Sequence, residues 1–410
     1  MLFIFYAKVA NLQNRYKDDS VVIGDLSARS KKMEQFLEQD PENVNLFCEC
    51  FELFLQLGDF DKAAKLVEKT LQILPEESSV VFCQSKLYLA QGAFDKALES
   101  TLNLIEKGVM NPGVLYNQVW SQLNLAMYES VVENIESHLE FTQQYPPLLL
   151  VKVRALHHLQ QFQLAIEAVE SYIELDLTND EAFGLNAILH LDIAEYESAK
   201  LQANKALAIN PYNHDALTTL SSLALNHQEP DEVLKLLSIK PELTSKSGRM
   251  MLNLGQAFML KMEFDKAESA LKDAASLMSS HIGTWHALAW VEIVLGKIDD
   301  AKRCFERAME LDRNFSESHG GLAVIAIFQN ELTLAEKLTK TSLKLDPLCT
   351  SGRYAESLLL EKHGNAELAK SKVTELITQA KGVDGEPITQ LIEKAGKRLN
   401  VLPDSNNTFH

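Results

Sequence analysis

Two short clusters in the sequence have side chains that bind metals or exchange electrons: Cys48-Glu49-Cys50 and His157-His158. Paired thiolates or imidazoles hold zinc only when both groups reach one point. On a helix, residues i and i+2 face different sides, as do i and i+1. Neither pair converges, and both are expected to be packing or surface residues. The other cysteines, Cys83, Cys304 and Cys349, are scattered, and the total of 5 is odd. All are expected to be reduced. The sequence contains no glycine-rich phosphate loop, HExxH, CxxC or GxSxG motif. Asn314-Phe315-Ser316 and Asn406-Asn407-Thr408 fit a glycosylation pattern, which matters only in a secreted chain. Carboxylate pairs are frequent, as expected of the solvated faces of acidic helices. No catalytic residue, metal or cofactor is expected, and the chain reads as a non-enzyme.

The formal charge is -18, from 57 acidic and 39 basic residues. That balance argues against a surface that tracks nucleic-acid phosphates. An apolar share of 46% allows a buried core. The start, MLFIFYAKVA, is interrupted by Lys8, well short of the ~20 residues of a membrane span. It lacks the basic start and cleavage site of a signal peptide. A cytoplasmic protein without a membrane span is the expectation.

The elements that would position any site follow from a repeat. The tetrapeptide FDKA begins at Phe60, Phe94 and Phe264, which are 34 and 170 residues apart. Stepping by 34 from Gly58 reaches Gly92, Ala126, Gln160, Ala194, Gln228, Met262, Gly296, Asn330 and Gly364. Five residues after these markers come Ala63, Ala97, Val131, Ala165, Ala199, Val233, Ala267, Ala301, Ala335 and Ala369. Pro41, Pro75, Pro211 and Pro347 share one phase. Each period reads as two helices. In VNLFCECFELFLQL (44–57) apolar residues recur at three and four positions. Gly58 stops that helix in a left-handed turn. Asp59 and Asp61 open the next one, where carboxylates meet free N–H groups. Ala63 lets two helix axes approach, and Pro75 follows the second helix.

A 34-residue helix–turn–helix period with this residue order resembles the tetratricopeptide repeat family. With Gly58 as position 15, the family pattern is matched at Phe47, Phe54, Ala63 and Pro75, at Phe183, Ala199, Ala206 and Pro211, at Gly255, Ala267 and Ala274, and at Trp285, Ala289, Ala301 and Ala308. The resemblance implies an all-α, right-handed α-α superhelical solenoid. Ten units would span 44–383. Residues 1–43 form an N-terminal cap or degenerate repeat with a helix near 25–39. Residues 384–402 are expected to form a capping helix, with 403–410 as a tail. Pro230, Pro241 and SIKPELTSKSG (238–248) mark either a tolerated irregularity or a hinge between 44–237 and 248–383. Smaller breaks are expected at 108–113 and 144–147.

In this family first helices line the concave wall, with positions 2, 5, 6, 9, 12 and 13 pointing inward. That places Phe82, Tyr116, Leu150, His286 and Tyr354 (position 5), Lys86, Trp120, Arg154 and Trp290 (position 9) and Phe328 (position 13) in a peptide-binding groove. Trp120 and Trp290 either pack against a neighbouring first helix or serve as exposed aromatic anchors. Position 5 never carries lysine, so a carboxylate clamp is not expected. The resemblance implies a protein-binding scaffold, chaperone or adaptor that grips a segment with apolar or aromatic side chains. A regulatory or assembly subunit of a secretion, envelope or enzyme complex is the alternative. An RNA-binding helical repeat is disfavoured by the charge. Self-association stays open, because uncapped solenoid ends stack.

Overall fold

The computed structural model describes residues 20–379, with side chains over 25–376. Within them 23 helices and no strand occur. The chain divides into two compact units, Met1–Leu189 and His190–His410.

In the first unit, α1 (Ser20–Gln39) packs on α2 (Val44–Leu57). It begins five residues ahead of the expected 25. The pairs that follow are α2 with α3 (Phe60–Ile73), α4 (Ser78–Ala90) with α5 (Phe94–Glu106), α6 (Pro112–Asn124) with α7 (Tyr128–Glu136), and α9 (Pro147–His158) with α10 (Phe162–Leu175). A short α8 (Leu139–Gln144) lies between α7 and α9. The unit boundary falls within α11 (Asp180–Asp192).

The second unit continues with α12 (Tyr196–Ile209), α13 (His214–Asn226), α14 (Pro230–Ser238) and the one-turn α15 (Pro241–Thr244). Then come α16 (Gly248–Leu260) with α17 (Phe264–Leu277), α18 (Ile282–Val294) with α19 (Ile298–Leu311), α20 (Ser316–Phe328) with α21 (Leu332–Leu345), and α22 (Thr350–Lys362) with α23 (Ala366–Gln379). Residues 238–248 lie inside this unit. There Pro241 starts α15, Leu243 and Thr244 are buried, and the Thr244 hydroxyl donates to the Leu237 carbonyl at 2.7 Å. The expected capping helix at 384–402 and the tail lie outside the described residues.

The turn inside each pair has one chemistry. Gly58 has φ +70°, its N–H donates to Leu55 O, and the Asp59 N–H donates to Phe54 O. The same two bonds recur after every 34-residue step, at 92, 126, 160, 194, 228, 262, 296, 330 and 364. All ten marker residues take positive φ, although only four are glycine. Ala126, Gln160, Ala194, Gln228, Met262 and Asn330 therefore sit in a region that disfavours a Cβ. The two backbone hydrogen bonds of the turn are made at each of them. The small residue five places on is fully buried at Ala63, Ala97, Val131, Ala165, Ala199, Val233, Ala267, Ala301 and Ala335. Helix starts are capped as their residue types dictate: Asn43 Oδ1 accepts from Leu46 N, Asp59 Oδ1 from Lys62 N, and Asn213 Oδ1 from Ala216 N.

First helices also meet the next first helix: α2 with α4, α4 with α6, α6 with α9, α13 with α16, α16 with α18, and α20 with α22. They lie in register. Lys86 pairs with Glu52, 34 residues earlier, and the Ser351 N–H donates to Glu317, also 34 earlier.

Candidate functional site

The helix α18 opens at His281, whose Nδ1 accepts from Thr284 N at 3.2 Å. That start sets the phase of the residues behind it. His286 and Trp290, four apart, share one face. Beneath them Phe305 of α19 is fully buried, with its ring 5.2 Å from His286 and 5.7 Å from Trp290, both edge-on. Phe315 meets His286 edge-on at 5.3 Å from the start of α20. Tyr354 of α22 tilts against Trp290 at 6.4 Å and 58°.

Glu317 fixes α22 relative to α20. Its carboxylate accepts from Thr350 N at 2.8 Å and Ser351 N at 3.0 Å, and also from the Ser351 hydroxyl. It thus caps the neighbouring helix, where free N–H groups and the helix dipole favour a negative charge. The capping leaves little of that carboxylate for a ligand. His286 is held to Ser318, with Nε2 and Oγ 2.8 Å apart. Burial lowers the His286 pKa to about 4, against the opposing pull of Glu317, so the ring is neutral at pH 7.

Together these residues line a cavity of about 390 Å³, bounded by Gly283, His286, Trp290, Phe315, Glu317, Thr350, Ser351, Tyr354 and Leu376. Four of its nine lining residues, His286, Trp290, Phe315 and Tyr354, carry aromatic rings. That arrangement accepts an apolar or aromatic group. Among the described residues, no group of three or more His, Cys, Asp or Glu is placed to hold a metal ion.

The ten groove positions expected from sequence separate into distinct environments. His286, Trp290 and Tyr354 converge on the cavity. Phe328 ends α20 and is exposed, but does not line it. In the first unit Trp120 is only 5% exposed, so of its two readings, packing describes it. Tyr116 stacks on it at 5.9 Å, and Tyr145 closes on Tyr116 edge-on at 5.3 Å. The break after Glu136 and the inserted α8 bring Phe141 onto this same cluster. Leu150 and Arg154 are buried, and Arg154 donates to Glu181 at 3.0 Å. Phe82 is half-buried in a cluster with Val81, Leu104 and Val114, and Lys86 is held by Glu52. Trp120 is thus stacked on Tyr116, with little of its ring exposed. Phe315, Ser351 and Leu376 belong to the cavity but were not expected. The period marks helix faces but says nothing of the caps and second helices that close a cavity.

Residues 282–315 match the sequence profile of the tetratricopeptide repeat. Similar solved structures include the APC/C hetero-tetramer Cut9-Hcn1, at 12% identity and TM-score 0.52, covering 94% of this chain and 83% of that one. The fold is the tetratricopeptide-repeat fold. The human IFIT1 dimer with m7Gppp-AAAA is similar at 15% identity and TM-score 0.51, over 87% of this chain and 94% of that one. The human IFIT1 dimer with PPP-AAAA has 16% identity, TM-score 0.50 and the same coverage of both chains. No curated protein matches this sequence. The matched residues include α18, from which the cavity draws His286 and Trp290. No helix among the described residues is long and apolar enough to cross a membrane.

Proposed function

We propose that this protein is a non-catalytic tetratricopeptide-repeat scaffold that binds a partner polypeptide. The second unit would seat an aromatic or large apolar side chain of that partner in the cavity between α18, α20 and α22. One observation carries this reading. His286, Trp290 and Tyr354, chosen by repeat position alone, line a single aromatic cavity of about 390 Å³. That volume sits at the small end of ligand pockets, roughly 300–1,000 Å³. The imidazole is neutral, and the Glu317 carboxylate is engaged by Thr350 N, Ser351 N and the Ser351 hydroxyl. An adaptor, a chaperone, or a regulatory or assembly subunit of a larger complex would each use such a surface.

The human IFIT1 structures carry triphosphate-bearing RNA. For this chain the charge of -18 speaks against RNA as the ligand.

The test is selection of a phage-displayed random-peptide library on the full chain. A fluorescent synthetic copy of the selected peptide is then titrated by anisotropy. Burying an aromatic group contributes roughly 1.5–3 kcal/mol, so Trp290→Ala should weaken binding about 10- to 100-fold. The control Phe328→Ala should change it little. Equal affinity for wild type and a Trp290→Ala/Tyr354→Ala variant would refute the cavity as the site. Tight, steeply salt-dependent binding of a fluorescent single-stranded RNA, with no peptide selected, would favour the RNA reading instead.

A further inference from the structure

We propose that Cys48 and Cys83 form an oxidisable dithiol, in which an oxidant reaches Cys48 first and Cys83 resolves the product to a disulfide joining α2 to α4. The site lies in the first unit and is independent of the aromatic cavity.

Adjacent first helices run in register, as Lys86 on Glu52 shows. Cys48 and Cys83 are one period plus one residue apart, so their side chains meet between α2 and α4. They share one apolar cluster with Phe47, Phe51 and Leu87. The two thiols lie close enough for each to perturb the titration of the other. Their exposure is unequal: Cys48 is half-buried, whereas Cys83 is 3% exposed. A small oxidant can reach the former, while the latter waits behind it.

The electrostatics divide the roles in the same sense. The neighbouring Cys83 thiol lowers the Cys48 pKa to about 7, with Lys86 assisting and burial, Glu52 and Glu77 opposing. The same interaction and deeper burial push the Cys83 thiol far up, so it keeps its proton. Cys50, Cys304 and Cys349 are all raised, mainly by burial. Cys48 is therefore the single thiol of the five poised to react near neutrality. A low-pKa, accessible cysteine beside a resolving cysteine is the arrangement of redox-sensing sites.

With hydrogen peroxide as oxidant, the Cys48 thiolate attacks one oxygen and the O–O bond breaks. Hydroxide leaves, and Cys48 becomes a sulfenic acid. The Cys83 sulfur then attacks the Cys48 sulfur. An S–S bond forms, the S–O bond breaks, and the Cys83 proton leaves with the hydroxyl group as water. Two electrons pass from the protein to the peroxide.

The test uses the full chain at pH 7 with hydrogen peroxide, thiol titration and mass spectrometry of non-reduced peptides. The expected product has lost two of its 5 thiols and yields one Cys48–Cys83 linked peptide. Cys83→Ser should trap Cys48 as a dimedone-reactive sulfenic acid, and Cys48→Ser should lose no thiol. Thiolate fraction and reduced nucleophilicity together predict Cys48 alkylation about three- to fourfold faster than an unperturbed thiol. Five retained thiols in the peroxide-treated wild type, or linkage of Cys48 to any other cysteine, would overturn the proposal. The wild-type measurement decides the matter even if either variant folds poorly.

Discussion

Replacing Gly320 with alanine tests whether α20 and α22 meet backbone to backbone. A Cβ at Gly320 would lie 2.4 Å from Gly352 N and 2.6 Å from the Ser351 carbonyl carbon. Comfortable contacts between such atoms are about 3.5–4.0 Å. The obstacle is backbone, which has no rotamer to escape into, so one helix must move by roughly 1 Å. Overpacking of this kind costs ~1–3 kcal/mol. Alanine returns about 1 kcal/mol, because it favours helix over glycine. The expected net loss is therefore up to ~2 kcal/mol, where a glycine-to-alanine change on a free helix surface would stabilise. The strain falls one turn from the Glu317–Ser351 bonds. Stacked repeats need not unfold in one step, so a global midpoint alone is an incomplete readout. Hydrogen exchange with peptide resolution is the better assay. Amides of 316–328 and 350–362 should exchange faster in Gly320→Ala, while those of α2 to α5 keep their rates. Unchanged or increased protection across α20 and α22 would refute the close approach and the cavity geometry that depends on it.

Met262→Gly should stabilise the chain. Met262 has φ +58° and is 59% exposed, so glycine relieves ~1–2 kcal/mol of left-handed strain with little packing lost. Greater freedom of the unfolded glycine offsets about 0.4–1 kcal/mol, and a higher urea midpoint is expected. A lower midpoint would contradict the strain. His286 should make stability depend on pH in acid. Its native pKa of about 4 lies below the usual 6.5, so between these values the unfolded chain binds more protons. The contribution is complete above pH 6.5 and is lost as pH falls through 4, amounting to about 3 kcal/mol at most. His286→Gln should flatten that part of a urea-midpoint profile from pH 7 to 4, and an unaltered slope would argue against burial as the cause.

The sequence by itself determined the repeat and its internal chemistry. A 34-residue step from Gly58 found ten turns, because each requires the same left-handed residue and the same small partner five places on. These are local constraints, acting within one pair of helices, and they leave a periodic trace even where glycine is replaced by Gln160 or Met262. The helix face carrying His286 and Trp290 was legible for the same reason. What surrounds such a face was not. Trp120 and Trp290 occupy the same repeat position, yet one is covered and the other opens on a cavity. The difference comes from contacts far apart in sequence: Tyr145 and Phe141 beyond the break at α8 in one unit, and Phe315, Tyr354 and Leu376 in the other. Likewise the spacing of Cys48 and Cys50 suggested no partnership, while Cys83 became a partner only because successive first helices stack in register. Turn chemistry repeats with the chain, whereas burial depends on which neighbours the stacking brings together.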